Sequence, residues 1–362
     1  MPKKPDERFA ITFAPTESAD VLDLLGGFAR RRPLSGEELL RQAEETEARA
    51  KSGDPKAQAA LARTLLTDEP NFRKNRRALV LLKQAAQKRE PEALYLLGLV
   101  HLRGQGVARD DALGMRYLEE AAYLGHLAAQ IDLAKAYRLG LPEGAERLTA
   151  AERARAAEKA LYWTRLAAAR GDGLSSYIAG CAYRDGTGTP RNYEEAKKWL
   201  LAAAKRAVPE AEAAAALAKL HLRRDYEARD PQEARRWMIE AALAGDAQAQ
   251  LRVGIFFWSG LGGGVDQREA LRWLCRAAEN GSGSAASMLA GFFLTGTVLD
   301  LDRLRAWVLY RLAERLGDAT ARTNAESVNA LLSPEERRYG RDVLKLESPK
   351  RILEALIPRK TR

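Results

Sequence analysis

Three histidines (His101, His126, His221), two cysteines and three short glycine clusters are the residues of this chain whose chemistry could reach beyond packing. A metal site needs several His, Cys or carboxylate ligands at one point, and catalysis needs a nucleophile, a base and a group that orients the base. His126 has neither a Cys nor an acid at ligand spacing. Cys181 and Cys275 stand 94 positions apart, which gives no disulfide framework and suits small apolar fillers. Gly104-Gln105-Gly106, Gly186-Thr187-Gly188 and Gly262-Gly263-Gly264 lack the preceding strand and following Lys-Ser/Thr of a phosphate-cradling loop. The chain therefore reads as non-enzymatic, with no catalytic residue, metal, cofactor or small-molecule substrate.

The elements that carry these residues repeat. Small residues recur at 57, 93, 129, 175, 213, 249 and 285, at spacings of 36, 36, 46, 38, 36 and 36. Four positions after each stands an apolar residue (Leu61, Leu97, Leu133, Ala179, Leu217, Val253, Leu289), then a small one (Ala62, Gly98, Ala134, Gly180, Ala218, Gly254, Ala290). Eight after the anchor come Leu65, His101, Tyr137, Tyr183, His221, Phe257 and Phe293, which gives two of the histidines a core slot. Offsets 0, 4, 5 and 8 share one face of a helix, and the small residue marks close approach by another helix. A second helix follows a turn, patterned as in Ala196, Trp199, Ala203 and Ala204, with Trp199, Trp237 and Trp273 as expected core residues. It stops at glycine (Gly125, Gly171, Gly245, Gly281, Gly317), the residue suited to a left-handed cap. Asp230-Pro231-Gln232-Glu233 spells an N-cap, a first-turn proline and a reciprocal glutamate, and Asp266 with Glu269 and Asn192 with Glu195 repeat that box.

Each unit is thus a helical hairpin that buries its apolar faces only by stacking on its neighbours. The expected organisation is a tail over 1–16, a degenerate capping repeat over 17–53, seven repeats over 54–317, a second capping repeat over 318–348 and a poorly ordered basic tail over 349–362. The third unit is ten residues longer, and its Ala/Glu/Arg-rich stretch reads as a lengthened second helix opening near Thr149.

The copy Ala93, Leu97, Gly98, His101, Gly104, Gly106, Val107, Asp110, Tyr117, Ala121, Ala122, Gly125 resembles the Sel-one-like repeat family, a relative of the tetratricopeptide repeats, over about 21–347. The resemblance implies an all-α, right-handed superhelical α-solenoid of about nine stacked hairpins, acting as an adaptor or scaffold that holds other proteins. The first unit lacks the turn glycines (Thr67 to Pro70) and the fifth replaces them with Arg223, Arg224 and Asp225. A secreted branch with a cysteine pair in each repeat is associated with β-lactam binding; this chain lacks the pairs.

Carried over from the tetratricopeptide arrays, a concave wall would use offsets 2, 6, 9 and 10 of each first helix. These are Tyr95, Leu99, Leu102 and Arg103, then Ile131, Lys135 and Arg138. They continue with Tyr177, Cys181, Arg184 and Asp185, then Lys219, Leu222 and Arg223, and end with Leu251, Ile255 and Trp258. Such a wall, cationic in its middle with apolar or aromatic anchors toward its ends, suits an extended or helical acidic segment bearing a few hydrophobic side chains. Arg138, Arg184 and Arg223 would pair with its carboxylates, while Tyr95 and Trp258 would supply buried area.

Net charge is +10, yet two windows account for it: residues 71–89 carry seven Lys/Arg and no acid, and 337–362 carry nine Lys/Arg against three acids. Nucleic-acid binding would need a continuous basic face, so it ranks below a scaffold and below an inhibitory, immunity-type binder of a toxin or enzyme. No apolar stretch suits a membrane span or an export signal, and a cytoplasmic location is expected.

Overall fold

The structure, a computed structural model, describes residues 36–66, 72–140, 148–205, 210–346 and 348–357. Among these there is no strand, and every element is an α-helix. Two compact units form, Met1–Arg170 with Thr187–Thr189, and Gly171–Gly186 with Pro190–Arg362.

The first unit contains α1 (Gly36–Lys51), α2 (Pro55–Leu65), α3 (Phe72–Gln87), α4 (Pro91–Arg103), α5 (Asp111–Tyr123), α6 (Leu127–Arg138) and α7 (Ala150–Ala169). Hairpins α2/α3, α4/α5 and α6/α7 pack internally and onto one another. The second unit contains α8 (Gly173–Asp185), α9 (Tyr193–Ala204), α10 (Glu210–His221), α11 (Pro231–Leu243), α12 (Ala247–Ser259), α13 (Gln267–Glu279), α14 (Gly283–Thr295) and α15 (Arg303–Arg315), followed by α16 (Ala321–Asn329), α17 (Pro334–Leu344) and α18 (Pro349–Leu356). Its hairpins are α8/α9, α10/α11, α12/α13 and α14/α15, with α16 and α17 both laid on α15.

The repeated small residue receives a leucine. A β-carbon added at Gly98, Gly180 or Gly254 would stand 2.8, 2.6 or 2.8 Å from the side chain of Leu118, Leu200 or Leu274. In five second helices a fully buried residue stands one position after the bulky one, Leu82, Leu118, Leu200, Met238 and Leu274, whereas in α7 and α15 the bulky residue itself, Trp163 or Leu309, is the deeper. Trp199 and Trp237 are only half-buried, and the Trp199 indole Nε1 donates to Glu195 at 3.1 Å. Trp199 thus lies on the flank of the helix interface with its polar edge satisfied, whereas Trp273 at the equivalent position is buried as expected.

The second turn glycine locks repeat to repeat. Gly188 (φ +70) and Gly262 (φ +73) are left-handed, and a β-carbon there would lie 2.3 Å from the Ala157 carbonyl or 2.1 Å from the Pro231 carbonyl. Pro231 is the first residue of α11, so by the same register α7 should begin near Ala157; it begins at Ala150 instead. The insertion is thus a helical extension past the packing register, with residues 150–155 all exposed. The fifth unit makes its turn without a left-handed residue, using Arg223 bonded to both Asp225 oxygens, Tyr193 donating to Asp225 at 2.5 Å and Tyr226 donating to Glu194 at 2.9 Å.

Two further expectations are corrected. The reciprocal capping glutamate occurs at Thr149/Glu152 and Ser333/Glu336. At Asp230, Asp266 and Asn192 the cap bond forms, but the cap's own backbone amide already donates to the carbonyl of His221, Phe257 or Tyr183, so Glu233, Glu269 and Glu195 turn to Arg236, Arg272 and Lys198 instead. Residues 349–357 are not a loose tail: α18 buries Ile352, Leu353, Leu356 and Ile357 and reaches back to α13. The expected first helix of the 17–53 capping repeat, the 1–16 tail, the turn at 67–70 and residues 358–362 lie outside the described residues.

Candidate functional site

In the first unit, the wall residues come from α4 and α6. Tyr95 does not offer its ring to a partner: it is 5% exposed, its hydroxyl donates to Asp132 at 3.0 Å, and its ring stacks on His126 at 4.5 Å. His126 replaces the usual acid at the helix N-cap. Its Nδ1 accepts from the Ala129 amide at 3.2 Å, and its Nε2 lies 2.9 Å from Glu92, which also meets Arg63. The sequence reading found no acidic companion for His126 because Glu92 belongs to the previous repeat, 34 residues away. Burial alone would raise the Glu92 carboxyl, but the His126 hydrogen bond and the Arg63 charge together hold it below the ordinary range. Asp132 is raised, because burial outweighs Lys135 and the Tyr95 bond. Lys135 stands 3.8 Å from Asp132, Leu99 is half-buried, and Arg103 and Arg138 are exposed.

Sequence reasoning missed Glu92 and Asp132, which stand one position before and three after an anchor. An acid alternating with apolar residues on a first helix was the available signal. It also missed a clamp: Gln58, Gln130 and Gln250, each one after an anchor, donate to the carbonyls of Ala50, Ala122 and Ala242 at the end of the preceding helix.

In the second unit, Arg184 grips Asp185 through two bonds of 2.8 and 2.7 Å, and Arg223 grips Asp225 at 2.9 and 2.8 Å. The Asp185 bond raises the Arg184 guanidinium, and the Arg223 bond lowers Asp225. These two arginines are thus already matched to carboxylates. Lys219 is exposed, with no carboxylate at ion-pair distance among the described residues; the same holds for Arg138 in the first unit. Tyr177 and Cys181 are half-buried, and burial pushes the Cys181 thiol up. Ile255 is 39% exposed and Trp258 is half-buried against Phe292 at 4.6 Å.

His101 stacks on Tyr117, and His221, 3% exposed, faces Tyr226. Among the described residues no group of three His, Cys, Asp or Glu could hold a metal, and no helix is long and apolar enough to cross a membrane. The basic window after 337 is partly internal, since the Arg337 guanidinium donates twice to the Leu332 carbonyl.

The Sel1 repeat family model matches residues 55–89, 91–126, 127–172, 174–208, 211–246, 247–282 and 283–318. The chain belongs to the Sel1 repeat family. Sel1 repeat proteins are in general protein-binding scaffolds rather than catalysts. The matched Sel1 segments coincide with the hairpins, including the lengthened third one, while α16, α17 and α18 continue past the last match. No curated protein matches the chain. Among solved structures it is similar to an SLR-fold protective antigen present in uropathogenic Escherichia coli strains (22% identity, 87% of this chain and 72% of that one, TM-score 0.47). It is also similar to a Sel1 repeat protein from Oxalobacter formigenes (24%, 71% and 96%, TM-score 0.48) and an immunity protein from Pseudomonas aeruginosa (20%, 62% and 81%, TM-score 0.33).

Proposed function

We propose that this Sel1 repeat chain is a non-enzymatic scaffold that works in the cytoplasm and holds a partner protein by acidic segments laid on the first helices within each unit. The observation that carries the reading is that each unit by itself offers an exposed cation with no carboxylate at ion-pair distance among the described residues, Arg138 in the first and Lys219 in the second. Exposed cations with apolar neighbours reward a carboxylate-bearing segment through steering and a few apolar anchors. Leu99 in the first unit, and Ile255 with Trp258 in the second, are the apolar side chains left partly open for that purpose. Arg184 and Arg223, held by their own aspartates, are pre-oriented donors rather than free charges. Tyr95 contributes by fixing Asp132, not by contact.

Affinity capture from the native host with wild type and Arg138→Glu/Lys219→Glu tests this. Both side chains are exposed, so the fold should survive, and retention of the partner should fall at least about tenfold, or about 1.4 kcal/mol. Undiminished capture by the double variant overturns the wall reading. If the captured protein is an enzyme or toxin whose activity stops on binding, inhibition replaces scaffolding as the function.

A further inference from the structure

Helix α3 alone among the described second helices of the hairpins has no acidic residue. Its inner face is sealed, with Asn75, Ala78, Leu79, Leu82 and Ala85 buried. The outer face presents Arg73, Arg76, Arg77, Val80 and Lys83 at successive helical spacings, and Val80 is 52% exposed. Arg77 meets Glu47 of α1 at 2.7 Å, a bond that holds Glu47 below the ordinary carboxylate range. Arg73, Arg76 and Lys83 have no carboxylate within 4.0 Å among the described residues. Like charges one turn apart on a helix disfavour it, so this stripe has charge that an external anion would relieve.

We propose that the outer face of α3 is a second docking surface, and that it takes a glutamate-rich segment of a partner protein with one apolar side chain seated on Val80. This surface lies on a second helix and does not depend on the wall reading. Its width selects the anion. The stripe is one helix wide and about 15 Å long from Arg73 to Lys83, and α1, tied to it by the Arg77–Glu47 pair, exposes Glu44 and Glu45. A nucleic-acid duplex spreading beyond the stripe would meet those carboxylates, whereas a single acidic segment fits along it. An anionic bilayer would need a broad apolar face, and among the α3 residues whose burial is described Val80 is the one exposed large hydrophobic side chain.

The test uses the full chain and a fluorescein-labelled 16-residue peptide of Glu, Ala and Leu, read by anisotropy at low salt. A DNA duplex and phosphatidylglycerol vesicles serve as comparators. In Arg73→Glu/Arg76→Glu/Lys83→Glu, peptide affinity should fall at least about tenfold, while Arg138→Glu/Lys219→Glu should leave that contribution in place. Should the triple reversal unfold the chain, the triple glutamine variant, monitored by circular dichroism, should still weaken the peptide severalfold. Peptide binding indifferent to the α3 substitutions overturns the proposal, as does a larger loss of duplex or vesicle binding than of peptide binding. Loss in the wall variant alone would assign acidic segments to the first helices and leave α3 without an occupant.

Discussion

Asp132 shows why the wall cannot be judged by counting cations. Tyr95 and Lys135 partner it, yet burial still raises its carboxyl, so the ionised form is disfavoured in the folded chain. A raised folded value means that this group's stability is fully present below its unfolded value and is lost as pH rises through the folded one. Asp132→Asn keeps an acceptor for the Tyr95 hydroxyl and removes the charge. It should therefore melt higher than wild type near pH 7, and the gap should close as pH falls toward the ordinary aspartate range. A melting series over that span checks it; a variant that melts lower than wild type at pH 7 would mean that the ion pair with Lys135 outweighs burial.

At the scale of the helix pair, a leucine against a small residue is the unit of cohesion. Leu200 is fully buried over Gly180, whereas Trp199 beside it is half-buried with its indole bonded to Glu195. Leu200→Ala should cost about 2–5 kcal/mol through the cavity it leaves. Trp199→Ala should cost less despite removing more atoms. Urea unfolding of both variants decides, and the reverse order would return the tryptophan to the core. The long α7 obeys the same packing only from Ala157 onward, where Gly188 meets its backbone, so its first turns are an appendage made of good helix formers.

At the scale of the whole chain, most contacts join neighbouring helices, as expected when repeats stack in one dimension. Within the second unit α18 breaks that rule by packing on α13, and Ile352, Leu353 and Cys275 share one cluster. Leu353→Ala should then cost about 2–5 kcal/mol, against within about 0.5 kcal/mol for a residue in a loose tail. In a Cys181→Ala background the same change should speed thiol labelling of Cys275; an unaltered stability and labelling rate would detach α18 from the core.

The periodic anchors, the glycine caps and the N-cap residues determined the seven hairpins between residues 55 and 318, because each is a local rule acting within a few residues of backbone. What spacing could not give is which side chains meet across repeats. Glu92 with His126, Tyr95 with Asp132 and α18 with α13 depend on how one hairpin sits on another, and only that packing decided which charges are matched inside the chain and which stay exposed.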